Sequence, residues 1–203
     1  FRRVLFRSRM NKIHEIRSSS KIALVEAGVI LTTLHQAVNE DDLIFPLTFG
    51  ARGSATIGGV LSTNAGGSNV LKYGNTRDLV LGVEIVLPNG DIMNLMSELH
   101  KDNSGYCLRD LVIGAEGTLG IITQAVLKLF PKPKAHATAM VAVKSLDHAL
   151  ALLNELQEAT GGAVAAYEYM PKRYIQGYME LSSSSRKPFQ KDYDHLVMIE
   201  LET

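Results

Sequence analysis

The chain has 203 residues, 46% of them hydrophobic and 21% charged, with 21 basic residues balancing 21 acidic ones. This composition suits a globular protein with room for one good-sized domain and part of a second. A net charge of zero gives no reason to expect nucleic acid or an acidic membrane surface as partner, the single cysteine (Cys107) excludes an internal disulfide, and no apolar run approaches the ~18 residues of a membrane helix.

The first eight residues, FRRVLFRS, read as an in-frame translation of a common sequencing adapter, so Phe1 to Ser8 are set apart from the fold. A basic arm or targeting peptide is the alternative. Without Arg2, Arg3 and Arg7 the charges become 18 basic and 21 acidic, a net of −3. On the adapter reading Met10 need not be a start, and upstream sequence is missing.

From Asn11 to Glu26 two β-like runs, KIHEI and KIALVEA, flank a Ser cluster and predict a hairpin. Leu31, Leu34, Ala37 and Val38 then recur on one helical face. Pro46 biases Phe45 away from helix. The stretch from Phe45 to Gly67 holds six glycines, four of them in two pairs, Gly58-Gly59 and Gly66-Gly67. Paired glycines permit φ > 0 and a close approach to the main chain, and outward amides or a helix start can seat a diphosphate. Ile57 to Asn64 is predicted as a short helix of small residues. The stretch has no G-x-G-x-x-G, and Gly59 occupies the P-loop lysine position, so neither a Rossmann site nor a nucleoside triphosphatase is supported.

Leu79 to Leu87 reads as a buried strand, Pro88-Asn89-Gly90-Asp91 as a hairpin turn with φ > 0 at both Asn89 and Gly90, and Ile92 to Met96 as the return strand. Arg77-Asp78 is expected as a local ion pair or turn element. Tyr106 to Ile113 forms a predicted short helix with Leu108, Leu111 and Val112 on one face. Glycines follow at every third position, Gly114, Gly117 and Gly120, before a strand from Ile121 to Phe130 that Pro131 and Pro133 end. Beyond this lies a β-α-β-α-β order: Thr138–Val143, a helix capped by Ser145 with Leu146, Ala149, Leu150, Leu153 and Leu156 inward, Ala163–Met170, Pro171–Leu181 and His195–Leu201. Ser182 to Ser185 reads as an exposed loop.

Four ordered stretches carry a resemblance: GARGSATIGGVLSTNAGG, KYGNTRDLVLGVEIVLPNGD, KDNSGYCLRDLVIGAEGTLGIIT and LKLFPKP. They span roughly Met10 to Pro133. The chain resembles the FAD-linked oxidases of the vanillyl-alcohol-oxidase (PCMH-type) fold, in the D-lactate, glycolate and D-2-hydroxyglutarate dehydrogenase branch. The resemblance implies an α+β fold: residues 9–133 a partial FAD-binding domain containing its second subdomain, and 134–203 the start of a ferredoxin-like cap. In the family FAD lies between two subdomains and the cap covers the flavin ring.

The resemblance further implies that Pro46, Gly53, Ser54, Ile57, Gly58, Gly59, Ser62 and Asn64 line the flavin site. Amides near Gly58 and Gly59 would meet the diphosphate or the flavin carbonyls; Ser62 and Asn64 fit flavin bonding or helix capping. In the second segment, Gly117 and Gly120 would bring the backbone close, and the strand start at Ile122 would offer main-chain groups to adenine. Glu116 would bond a ribose or another loop. The implied reaction is oxidation of a 2-hydroxy acid by hydride transfer to flavin N5.

The catalytic base, carboxylate-binding arginine and metal ligands of family members lie beyond Thr203, so no catalytic residue and no metal site are assigned here. His14, His35, His100, His136, His148 and His195 are expected to be structural or exposed. The family's other FAD loop lies before Met10, so the 203-residue chain is expected to bind FAD weakly or not at all. The electron acceptor stays open between a quinone, a cytochrome, an electron-transfer flavoprotein and an iron–sulfur partner. The expected location is cytoplasmic, with a peripheral position on the inner face of a membrane as the alternative. Rival readings are an alkyl-glycerone-phosphate synthase, an aldonolactone oxidase or a non-catalytic module of the same fold.

Overall fold

The computed structural model describes residues 9–182 and 186–203. The expected adapter segment lies outside the described residues, as do residues 183–185 of the expected Ser-rich loop. The chain divides into two compact units: Ser68–Lys72 and Pro133–Thr203 form the second, and the rest forms the first.

The first unit is built on an antiparallel five-stranded sheet. The hairpin predicted around the Ser cluster is formed by β1 (Ile13–Arg17) and β2 (Ile22–Glu26). Helix α1 (Leu31–Asn39) buries Leu31, Leu34 and Val38, the stripe that its spacing predicts. Next come the short strand β3 (Leu43–Ile44), helix α2 (Ile57–Ser62), and, after the single turn α3 (Val70–Tyr73) that falls mostly in the second unit, strands β4 (Val80–Val86) and β5 (Ile92–Leu95). Helix α4 (Leu108–Val112) leads through the second glycine segment to β6 (Ile121–Lys128), and β7 (Phe130–Pro131) pairs with β3.

The strand order is β1-β2-β6-β4-β5. Ala23, Val25, Val83, Ile85, Ala125 and Leu127 belong to one core cluster with the inward faces of α1 and α2. Ile22, Leu81 and Val126 form a smaller cluster, as expected where successive side chains point to opposite sides of a sheet.

Two local expectations need correction in this unit. At the β4–β5 turn only Gly90 has positive φ, at +91°. Pro88 fixes its own φ near −65°, which excludes the primed turns, and with no positive φ at Asn89 the turn is of type I, the Gly90 amide donating to the Leu87 carbonyl at 2.9 Å. In α4, Leu108 and Leu111 are 40% and 63% exposed and only Val112 is buried; the three positions share a helical face, but the rest of the described residues cover it only at Val112.

The second unit has the predicted β-α-β-α-β order: β8 (His136–Val143), α5 (Leu146–Thr160), β9 (Val164–Pro171), α6 (Lys172–Leu181) and β10 (His195–Glu202). Strand β10 lies between β8 and β9, antiparallel to both. Strands β8 and β9 are therefore parallel and joined through α5, a split βαβ unit of ferredoxin-like type. Ser145 caps α5, and Gly161 ends it at φ +61°. The inward face of α5 differs from expectation: Leu146 and Leu150 are exposed, while Ala149, Leu152 and Leu156 pack against the sheet. The Tyr167 hydroxyl donates to the Ala149 carbonyl, which fixes that rotation. Among the described residues no helix is long and apolar enough to cross a membrane.

Candidate functional site

Helix α2 begins where β2 ends. The Ile57 amide donates to the Val29 carbonyl at 2.9 Å and the Gly58 amide to the Ala27 carbonyl at 2.7 Å. The N-cap Thr56 accepts from the Gly59 amide at 3.3 Å. All three first-turn donors are thus satisfied within the chain. This corrects the expectation that the amides of Gly58 and Gly59 aim at a ligand, and neither glycine has positive φ. Gly58 is small for a packing reason instead: a Cβ there would lie 2.7 Å from the Ala27 Cβ.

The other end of α2 is also built from backbone. Asn64 adopts a left-handed φ of +44°. Its amide donates to Leu61 at 3.1 Å and the Ala65 amide to Val60 at 2.9 Å, the two bonds of a Schellman stop. The Ser62 hydroxyl donates to the Gly58 carbonyl at 2.7 Å. Helix-end bonding therefore occupies part of both residues.

The second glycine segment docks on this same helix end. The Gly114 amide donates to the Leu61 carbonyl at 3.0 Å and the Glu116 amide to the Ser62 carbonyl at 2.9 Å. Here the left-handed backbone that glycine favours does occur: φ is +89° at Gly114, +52° at Glu116 and +80° at Gly117. Around Gly117 an added Cβ would meet nothing within 4 Å, and its amide bonds to no other described residue. Gly120 is pressed on β4, with an added Cβ 2.8 Å from the Val86 carbonyl oxygen.

The remaining expected residues divide by burial. Pro46 is buried between Phe45 and Leu47. Gly53 and Ser54 are exposed, and nothing lies within 4 Å of a Cβ added at Gly53. Ile57 and Ile122 are core residues at 0% and 5% exposure, so their side chains do not face a ligand. The main chain at Ile121 and Ile122 pairs with β4, and β6 pairs with β2 only from Gln124 onward. Glu116 is exposed.

Two residues that the sequence did not single out, Thr56 and Thr76, and one that it read only as a local ion pair or turn element, Arg77, hold these parts together. For Thr56, a Thr directly before an apolar helical run was a legible capping signal. The other two lie in a 3-10 turn at Thr76–Leu79. The Thr76 hydroxyl, fully buried, donates to the Ala65 carbonyl at 2.6 Å. The Arg77 amide donates to Asn64 Oδ1 at 2.9 Å, and its Nη2 donates to the Ile113 carbonyl at 2.6 Å. Of the two expectations for Arg77-Asp78, the ion pair is absent among the described ion pairs, and the turn element is what forms. Asp78 instead accepts from the Asn75 amide at 2.8 Å and so stiffens the turn.

The assembled surface offers backbone and amide groups from two segments, with no adjacent nucleophile–base pair. Among the described residues no group of three or more His, Cys, Asp and Glu could hold a metal ion. Such a surface suits the binding of a polar cofactor rather than bond-making by side chains.

Comparison with known proteins is consistent with this geometry. An FAD binding domain family matches residues 3–96. The chain is 36% identical over 197 residues to D-2-hydroxyglutarate–pyruvate transhydrogenase DLD3 of Saccharomyces cerevisiae, covering 97% of this chain and 40% of that protein. It is 34% identical to D-2-hydroxyglutarate dehydrogenase of Xanthomonas citri, covering 97% of this chain and 41% of the relative. It is 41% identical to glycolate oxidase subunit GlcD of Bacillus subtilis, covering 75% of this chain and 33% of the relative. Among solved structures, an alkyldihydroxyacetonephosphate synthase superposes with a TM-score of 0.78 at 22% identity, covering 96% of this chain and 38% of that one. That last likeness carries the fold alone. The chain spans about two-fifths or less of the length of these proteins.

Proposed function

We propose, for a chain that belongs to the FAD-linked oxidases of the vanillyl-alcohol-oxidase fold, that it supplies part of the flavin site of an FAD-dependent 2-hydroxy-acid dehydrogenase. The observation that carries this reading is the docking of the Gly114–Gly117 loop on the last turn of α2 through Leu61 and Ser62. It joins two glycine-rich stretches that are far apart in sequence, which supports a shared cofactor surface.

The residues present fit FAD. Gly117 and Gly53 leave open space where a side chain would stand, so a flat cofactor can approach the main chain there. The Gly117 amide is a spare donor. Asn64 uses its carbonyl oxygen on Arg77 and keeps its NH2 group for an acceptor. Ser54 and Ser62 offer hydroxyl oxygens, and the main chain at Ile121 and Ile122 offers groups beyond the end of β2. Pro46 and Ile57 support the site from the core, and Gly58, Gly59 and Gly120 let its walls close up. Glu116 stands at the rim as a partner for ribose.

When bound, FAD would supply the two-electron oxidation of a 2-hydroxy acid to the 2-oxo acid. This chain's part is to bind and orient. Residues 9–133 act as part of the FAD-binding domain and 134–203 begin the cap. D-2-hydroxyglutarate, D-lactate and glycolate are the substrate class, and a separate electron acceptor completes turnover.

The test is anaerobic titration of the full-length flavoprotein with these three acids. Loss of the oxidised flavin absorbance with at least one of them is expected. A protein that carries no flavin, or a flavin that none of them reduces, contradicts the reading.

A further inference from the structure

We propose that Arg77 is a positioning residue for the cofactor, setting the spacing between the Asn64 end of α2 and the loop that begins at Gly114. The inference rests on the flavin reading above and extends it to a residue outside the glycine segments.

Arg77 bridges both sides of the junction. Its amide holds Asn64 Oδ1 at 2.9 Å, and its guanidinium holds the Ile113 carbonyl at 2.6 Å. The second bond reaches the residue just before the left-handed run at Gly114, Glu116 and Gly117. Gly114 and the guanidinium are fitted to each other: an added Cβ at Gly114 would lie 3.1 Å from Arg77 Nη2 and 3.3 Å from the Asn64 Cβ. The Arg77 Nε is buried without a partner. Leaving a charged donor unmatched is costly, so the placement of this side chain serves something beyond its own hydrogen bonds. Its neighbour in the turn, Thr76, anchors the turn to Ala65, so the guanidinium projects from a fixed base.

A planar, forked cation suits this task better than lysine. Its N–H groups sit on a rigid planar fork, whereas an ammonium is a point charge on a flexible stem. Loss of the guanidinium frees the Ile113 carbonyl and lets the loop shift relative to Asn64. A shift of about 1 Å matters for a cofactor held by main-chain groups on both sides.

The test compares FAD affinity and flavin-free thermal stability in the full-length wild type, Arg77→Ala, Arg77→Lys and Thr123→Val. The last variant removes a buried hydrogen bond from Thr123 to Glu84 and serves as the structural control. Arg77→Ala is expected to weaken FAD binding at least tenfold and Arg77→Lys at least threefold. Thr123→Val is expected to lower the melting temperature while leaving FAD affinity within twofold. FAD affinity within twofold of wild type in Arg77→Ala overturns the proposal. So does a loss in Thr123→Val that matches its loss of stability, because the arginine is then no more than structural. Should Arg77→Ala not fold, unchanged affinity in Arg77→Lys overturns it. A wild type that binds no FAD overturns the flavin reading itself, and this proposal with it.

Discussion

The amide of Glu116 lies 2.9 Å from the carbonyl oxygen of Ser62, so the loop after α4 hangs from the last turn of α2. A helix end leaves carbonyls without partners, and here those carbonyls receive a segment more than 50 residues further along the chain. The contact makes one surface from two glycine-rich stretches.

Gly114→Ala tests how tightly that contact is built. At φ +89° an alanine is strained, and its Cβ would crowd Arg77 and Asn64. A loss of about 1–3 kcal/mol in stability is expected, together with weaker retention of FAD. Denaturant unfolding and flavin content after gel filtration check both.

Gly58 and Gly53 separate packing from binding. Gly58→Ala would push α2 off β2 against Ala27 and is expected to cost about 1–3 kcal/mol. Gly53→Ala meets open space and no left-handed φ, so it should leave stability within about 0.5 kcal/mol yet weaken FAD binding. Equal effects of both variants on stability would contradict this division of roles. The comparison is made by thermal unfolding without flavin and by FAD titration.

The regular elements of this fold were legible because each has a periodic or punctuated pattern. The Ser cluster between two β-like runs marks the β1–β2 hairpin, and the spacing of Leu31, Leu34 and Val38 marks α1. The order of the second unit follows from Ser145 and Gly161 at the ends of a long helix. Finer features failed where a local rule met a competing one. Asn-Gly suggests φ > 0 twice, but Pro88 sets the turn type. The leucines of α5 permit more than one inward face, and the Tyr167 bond to Ala149 selects one.

In the site the same limit appears. Glycine pairs signal conformational freedom, but only the sheet end at Ala27 reveals that Gly58 is a packing glycine. Arg77 carries no sequence signal for its role, because both its partners, Asn64 and Ile113, are set by tertiary contact. The resemblance to a flavoenzyme family named two glycine-rich segments, which dock on each other here, while the packing and bonding roles within them required the geometry.

His35 provides a pH dependence. Burial of its imidazole holds the pKa below the usual value, the nearby Arg52 acts in the same direction, and the carbonyls of Leu47 and Phe45 oppose in part. The unfolded chain takes up this proton near pH 6.5, and the folded chain resists it. The contribution of His35 to stability is therefore full above about pH 6.5 and is lost as pH falls below it. Unfolding midpoints measured from pH 8 to pH 5.5 should decline more steeply in the wild type than in His35→Gln. Parallel profiles would exclude His35 as a source of the acid sensitivity.

Hydrogen–deuterium exchange of the full-length protein with and without FAD reads the two segments at once. Amide exchange in peptides covering residues 53–64 and 113–122 is predicted to slow together when FAD binds, by at least severalfold. FAD that binds while exchange in either segment stays unchanged would contradict a shared flavin site built from both.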